Sequence, residues 1–254
     1  MEDELALAVL QENYETALPP TSLGGGGMVV RESLNPHGGA WNGKASVQLT
    51  GDWALSFLTL PANTHSDLIS TTWYKFGSLF TAGVIDVHGF RGQGSDYESD
   101  CDVVFNPATG KWGVAWVDGA GAWHEDYESG ISTLIPGSYV ELKLRYRKHS
   151  TQGLIQLWVN GALKVSLSNL NTSYASLYIA EVNDGVVWVT ANEPAVREVF
   201  YDDTIVESPA VTINYQSTPI SVPLTYDSQQ LASGQTAQVA AGTITLSVPS
   251  EVTA

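Results

Sequence analysis

Carboxylates crowd the run Asp96-Tyr97-Glu98-Ser99-Asp100-Cys101-Asp102. In an extended strand successive side chains alternate, so Glu98, Asp100 and Asp102 are expected on one face. Acids placed side by side repel, which favours a bound hard cation or wide solvation. These three are therefore candidate metal ligands. The aromatic residues that follow offer a different chemistry. Trp112 and Trp116 lie an even number of positions apart and share a strand face, where indoles either fill a core or stack on sugar rings. Trp123, His124 and Tyr127 fall among acids in an expected loop, a place where ligand contacts concentrate. All five are candidate glycan-binding residues. Other chemistries are not signalled. Gly24 to Gly27 lacks the lysine of a phosphate-binding loop, the five histidines are scattered without zinc spacing, and no nucleophile triad is recognisable.

The elements that must position these groups read as strands. The 254 residues include 24 Gly, 8 Trp and 11 Tyr, with 43% hydrophobic and only 15% charged residues. That composition suits many short strands joined by turns and is far from that of disordered chains. Alternating apolar and polar residues mark about a dozen strands between Met28 and Val206. Asn106-Pro107-Ala108-Thr109-Gly110, Pro136-Gly137, Asn160-Gly161 and Asn183-Asp184-Gly185 punctuate them as turns, and Asn160-Gly161 is a two-residue hairpin signal. Residues 1 to 12 are expected to form an arm, with a short helix over 1 to 13 and a role in docking on a neighbouring subunit. After Ser208-Pro209 the composition shifts to small and hydroxyl residues. The expected organisation is an arm, an all-β antiparallel jelly-roll sandwich over 13–207, and a second, smaller β module over 208–254.

Charge narrows the partners. Eleven Lys and Arg face 27 Asp and Glu, a net −16. Such a surface repels phosphate backbones and anionic lipids, so nucleic acid is excluded as a general ligand. No stretch has the apolar length of a membrane-spanning helix. Cys101 is the single cysteine, so the fold forms without an internal disulfide and the thiol is expected to be buried. The start Met1-Glu2-Asp3-Glu4-Leu5 lacks the basic, then apolar, pattern of a secretory signal.

Several stretches together resemble carbohydrate-binding modules of the concanavalin A-like and laminin G-like jelly-roll kind. Asn13-Tyr14-Glu15-Thr16 is similar to their opening strand, and His37-Gly38-Gly39-Ala40-Trp41-Asn42-Gly43-Lys44-Ala45-Ser46-Val47 to the approach to their second. Leu157-Trp158-Val159-Asn160-Gly161-Ala162-Leu163 is similar to their late hairpin. Tyr201-Asp202-Asp203-Thr204-Ile205-Val206 resembles their closing strand. The resemblance implies a structural calcium tying first strand to last, with Glu15, Asp202 and Asp203 as its ligands. Glycoside hydrolases of this fold carry a Glu-x-Asp-x-Glu strand. Here Asp102 holds the third place and the flanking aromatic residues are missing, which argues against hydrolysis at that strand. The second module is similar to PEGA-like β repeats, through Ser217-Thr218-Pro219-Ile220-Ser221-Val222-Pro223-Leu224-Thr225-Tyr226 and Ala241-Gly242-Thr243-Ile244-Thr245-Leu246-Ser247-Val248-Pro249-Ser250.

The resulting expectation is a non-catalytic module outside the cell, on a cell surface or on a virion. It would bind glycan or form an adhesive or structural outer surface, in contact with a neighbouring surface or capsid protein or as a homo-oligomer. Two alternatives stand beside it: a capsid decoration or fibre protein, and a glycoside hydrolase or polysaccharide lyase on the same fold.

Overall fold

Period-two alternation makes one face of each strand apolar, and two such faces must cover each other. The computed structural model, which describes residues 6–33, 36–81, 83–214, 224–226, 229–231, 236–240 and 246–247, shows that solution. In chain order the strands are β1 (Ala6–Glu12), β2 (Thr21–Gly24), β3 (Met28–Glu32), β4 (Asn42–Val47), β5 (Trp53–Thr59), β6 (Asp67–Phe76), β7 (Ile85–Gly92), β8 (Cys101–Asn106), β9 (Lys111–Val117) and β10 (Trp123–Tyr127). They continue as β11 (Tyr139–Arg147), β12 (Gly153–Val159), β13 (Ala162–Leu170), β14 (Ile179–Val186), β15 (Trp188–Val189), β16 (Arg197–Asn214), β17 (Leu224–Tyr226), β18 (Gln229–Leu231), β19 (Thr236–Ala240) and β20 (Leu246–Ser247). One sheet runs β13-β12-β11-β6-β16-β4-β3, with β1 and β19 also on β16. The second runs β10-β9-β8-β7-β14-β5-β2, with β15 continuing alongside β7. Every pairing between described strands is antiparallel. The protein is an all-β sandwich, as the alternation requires.

Tyr74, Phe76, Leu142, Leu144 and Tyr146 of the first sheet and Phe90, Val103, Phe105, Trp112 and Val114 of the second belong to one buried core. Trp112 joins the two sheets, its ring 6.2 Å from Phe76 and 4.8 Å from Phe105. The core also encloses a polar hub. Asp184 accepts hydrogen bonds from the Tyr14 hydroxyl at 2.9 Å and the Thr204 hydroxyl at 2.7 Å, and pairs with His88 Nδ1 at 2.8 Å. Burial and the nearby Asp184 charge push the Tyr14 and Tyr74 hydroxyls well above the usual tyrosine range. The hub crosslinks β6, β7, β14 and β16.

Several expectations are corrected. The expected N-terminal helix is β1, paired along β16 from Ala6↔Pro209 to Glu12↔Thr204. Leu5, Leu7 and Val9 also alternate, and pairing with a long strand outweighs helix propensity in a segment too short to be helical alone. Asn183-Asp184-Gly185 is not a turn but part of β14, because Asp184 finds its partners inside. Trp123 to Tyr127 is a strand, with the turn at 118–122 before it. The hairpin at Asn160-Gly161 forms, both residues having positive φ, 49° and 74°. β16 passes through Ser208–Pro209 without interruption and pairs with β19 from Ala210↔Ala240 to Asn214↔Thr236. Of the two stretches that carry the PEGA-like resemblance, 217–226 and 241–250, the structure describes Leu224–Tyr226 (β17) and Leu246–Ser247 (β20), which pair antiparallel; the rest lies outside the described residues.

Candidate functional site

The outer face of the second sheet, away from the core, carries a cleft of about 470 Å³. Its floor is acidic. On β8 the odd residues Cys101, Val103 and Phe105 enter the core, so Asp102 turns outward. Asp102 stands opposite Ala115 of β9, and Ala115 opposite Glu125 of β10, so the two acids flank one small side chain in a single cross-strand row. Asp86 of β7 stands opposite Trp188 of β15. The ladder between β7 and β8 shifts register between Asp86 and Gly89, where Gly89 meets Asp102. A Cβ at Gly89 would lie 2.1 Å from Asp102 Oδ1 and 2.6 Å from the Cys101 carbonyl, so only glycine leaves space for that carboxyl to sink into the floor.

Asp102 is fully buried and Asp86 only 5% exposed. Both oxygens of Asp102 and Oδ1 of Asp86 are sealed from solvent without a hydrogen-bond partner. The adjacent Ser99 hydroxyl gives its proton to the Phe90 carbonyl at 2.9 Å. A buried, unpaired carboxylate is so costly that the group holds a proton instead. Burial first, then the Glu125 charge, pushes Asp86 up to about 8. Burial first, then the Asp86 charge, pushes Asp102 well above the usual carboxylate range, with Ser99 offsetting part of it. Glu125 projects into solvent and accepts the Tyr127 hydroxyl at 2.7 Å.

Aromatic rings wall this floor. Trp53 and Trp188 stack with centroids 6.3 Å apart, and Tyr97 lies 6.0 Å from Trp123. Trp188 and Trp123 are each 41% exposed, and rings gathered in a groove mark a candidate ligand-binding surface. The Tyr97 hydroxyl donates to the Gly121 carbonyl, tying the β7–β8 connection to the β9–β10 turn. A buried ion pair anchors the base of that connection: Lys148 Nζ meets Asp100 Oδ2 at 2.5 Å, and Gly92 N–H donates to the same oxygen. Above it, Asn183 donates to the Glu98 carbonyl at 2.6 Å. Two of the walls are thus pinned by buried polar contacts.

The sequence-predicted residues fall into three places. Glu98, Asp102 and Trp123 line the cleft. Asp100 does not join them, because β8 begins only at Cys101 and its carboxylate turns to Lys148. Trp112 and Trp116 are corrected as glycan contacts: both are buried in the core, and Trp116 donates its ring N–H to Asp126 at 2.9 Å. His124 stacks on Trp116 and contacts Asp118, while Tyr127 is second to the cleft through Glu125. Glu15, Asp202 and Asp203 gather around the loop at 36–41. Glu15 accepts Ala40 and Trp41 N–H, Asp202 accepts His37 and Gly38 N–H, and Asp203 contacts His37 Nδ1. Burial and the Asp203 charge push Asp202 up to about 6 against its N–H donors. Among the described residues no group of three or more His, Cys, Asp or Glu has a metal-holding arrangement. Sequence reading missed Trp53, Asp86, Tyr97, Glu125 and Trp188. The available signal was an acid between Ile85 and Val87, and a tryptophan beside valines at 187 and 189.

No family model matches the sequence, and no curated protein matches it. The fold is shared with solved structures. An endo-β-1,4-glucuronan lyase from the fungus Trichoderma reesei superposes with a TM-score of 0.62 at 11% identity, over 79% of this chain and 95% of that one. A cellulose-induced protein, Cip1, gives 0.53 at 17% identity, over 78% and 96%. The binding domain of botulinum neurotoxin serotype D gives 0.51 at 10% identity, over 87% of this chain but only 58% of the other. Likeness at such identity concerns the fold. It still corrects the expectation of a non-catalytic module: a lectin-like sandwich was the ground for that expectation, and the same sandwich serves the glucuronan lyase.

Proposed function

We propose that this chain is a carbohydrate-active enzyme that cleaves glycosidic bonds of a polysaccharide lying across the outer face of the second sheet. One observation carries the reading: two buried aspartic acids, Asp86 with Oδ1 and Asp102 with both oxygens sealed from solvent, sit in the floor of a cleft walled by exposed aromatic rings. Glycosidic cleavage needs a proton on the departing oxygen, and a carboxyl that stays protonated near neutral pH supplies it. Aromatic faces bind the apolar faces of sugar rings while their edges stay wet. The shared fold of the glucuronan lyase supports the reading, since that scaffold accommodates a polysaccharide-cleaving site.

Release of reducing ends from a panel of polysaccharides tests this, with wild type beside Asp102→Asn and Asp86→Asn. Wild type is expected to cleave at least one polymer, and each variant to lose roughly 10²–10⁴-fold in kcat with its fold retained by circular dichroism. Absence of cleavage across the panel, or full activity in both variants, would remove the proposal. Calcium at the Glu15–Asp202–Asp203 clasp is a separate proposal resting on resemblance alone. A fall in Tm on chelation would support it, and an unchanged Tm would remove it.

A further inference from the structure

The chemistry of the lining says which polymer the cleft accepts. Asp86, Asp96, Glu98, Asp102 and Glu125 line it, and among its described lining residues none is Lys, Arg or His. The basic groups nearby are engaged elsewhere. Arg91, also on β7, contacts Glu181 at 3.4 Å and donates to the Ser95 carbonyl, and Lys148 is buried on Asp100. A polyuronate brings one carboxylate per sugar into a site whose charged groups all carry the same sign, inside a chain of net charge −16. Elimination from a uronate also requires a group that neutralises the sugar carboxylate, so that the proton beside it can leave. Among the described lining residues no side chain is a cation placed for that task.

We infer that the cleft takes a neutral glycan and breaks it by hydrolysis, with Asp86, backed by the sealed Asp102, as acid and Glu125 as base. This deepens the polysaccharide-cleaving reading and rests on it. In the step, the carboxyl proton passes to the glycosidic oxygen as the C1–O bond breaks, and the bond pair goes to that oxygen. A water oxygen bonds to C1, and its proton passes to Glu125. Glu125 suits the second role by position: it is in register with Asp102 across Ala115, exposed to solvent, and fixed by the Tyr127 hydroxyl at 2.7 Å. Glu125 stands close enough for its charge to act on the Asp86 carboxyl, and both groups line the one cleft. Trp53 with Trp188, and Tyr97 with Trp123, provide stacking surfaces that need no charge on the sugar.

Two measurements separate this inference from the reading beneath it. Digestion of neutral polysaccharides (a soluble cellulose derivative without charge, xylan, a β-1,3-glucan) and of polyuronates (alginate, glucuronan, polygalacturonate) is run in heavy-oxygen water. The expected result is cleavage of a neutral polymer, heavy oxygen at each new reducing end, and a loss of 100-fold or more in Glu125→Gln on the order of general-base contributions. Cleavage of polyuronates alone, with the ultraviolet absorbance of an unsaturated product end and no heavy oxygen, would overturn the inference while leaving polysaccharide cleavage intact. Affinity electrophoresis with Asp102→Asn reads substrate class without turnover. Retardation by a neutral polymer supports the inference. Retardation only by a polyuronate overturns it, and so does migration unaltered by every polymer.

Discussion

Asp86 and Asp102 illustrate how burial converts an ordinary acid into a proton carrier. Burial outweighs what stabilises their charge, Ser99 offsetting only part of it at Asp102, so the folded protein binds the proton more tightly than the unfolded chain does. The consequence for stability has a definite sign. Asp86 is pushed up to about 8, whereas an unfolded aspartate titrates near about 4. Its stabilising contribution is complete below the unfolded value and is lost as pH rises through the folded one. Tm is therefore expected to fall as pH is raised from about 5 to about 9, and the slope to flatten in Asp86→Asn. An identical slope in the variant would contradict the assignment. At the cleft wall, Trp188→Ala removes a half-exposed stacking surface and is expected to weaken oligosaccharide binding by about 1 kcal/mol with little change in Tm. Isothermal titration and thermal melts check the two halves. The acids at 98 to 102 were conspicuous in the sequence, yet their roles were not. A two-residue alternation put Asp100 with Asp102, and only the buried Lys148, 48 residues later, shows why Asp100 departs. Trp112 and Trp116 share a face as expected, but that face is the core.

Elements carry the site through their edges and connections. The 93–100 connection brings Tyr97, Glu98 and Ser99 over the floor, and its base is held by the Asp100–Lys148 pair. Lys148→Ala leaves Asp100 buried without its cation and is expected to cost about 3–5 kcal/mol in urea unfolding. The hub at Asp184 has the same logic in the core. Asp184→Ala strands the hydroxyls of Tyr14 and Thr204 together with His88, and is expected to cost on the order of 3 kcal/mol or more. Strand positions were readable from alternation: β9 and β11 begin and end where the pattern does. The errors came where tertiary partners overrule local preference. Asn183-Asp184-Gly185 has turn composition, but a carboxylate with several buried donors is worth more inside a strand than at a bend. β1 is helical by propensity and extended by pairing.

At the scale of the molecule, the sandwich supplies two faces per sheet and uses one for the core. The other face of the second sheet carries the cleft. Its acids come from β7, β8, β10 and the 93–100 connection, and its indoles from β5, β10 and β15. Their adjacency follows from the strand order β10-β9-β8-β7-β14-β5, which no local pattern encodes. That is why the all-β class was legible while the cleft was not; the expectation of a non-catalytic lectin-like module lost its ground because the same sandwich serves the glucuronan lyase. The net charge of −16 was legible from composition, and it points in the same direction as the lining. The central claim is that the cleft floor holds a proton for chemistry on a bound glycan. Carbon-13 NMR of aspartate carboxyls, titrated with and without a neutral oligosaccharide, tests it most directly. The account predicts two resonances, assigned by Asp86→Asn and Asp102→Asn, that titrate well above the ordinary carboxylate range and shift when the oligosaccharide binds. Ordinary titration near about pH 4 for both, unmoved by the sugar, would contradict it.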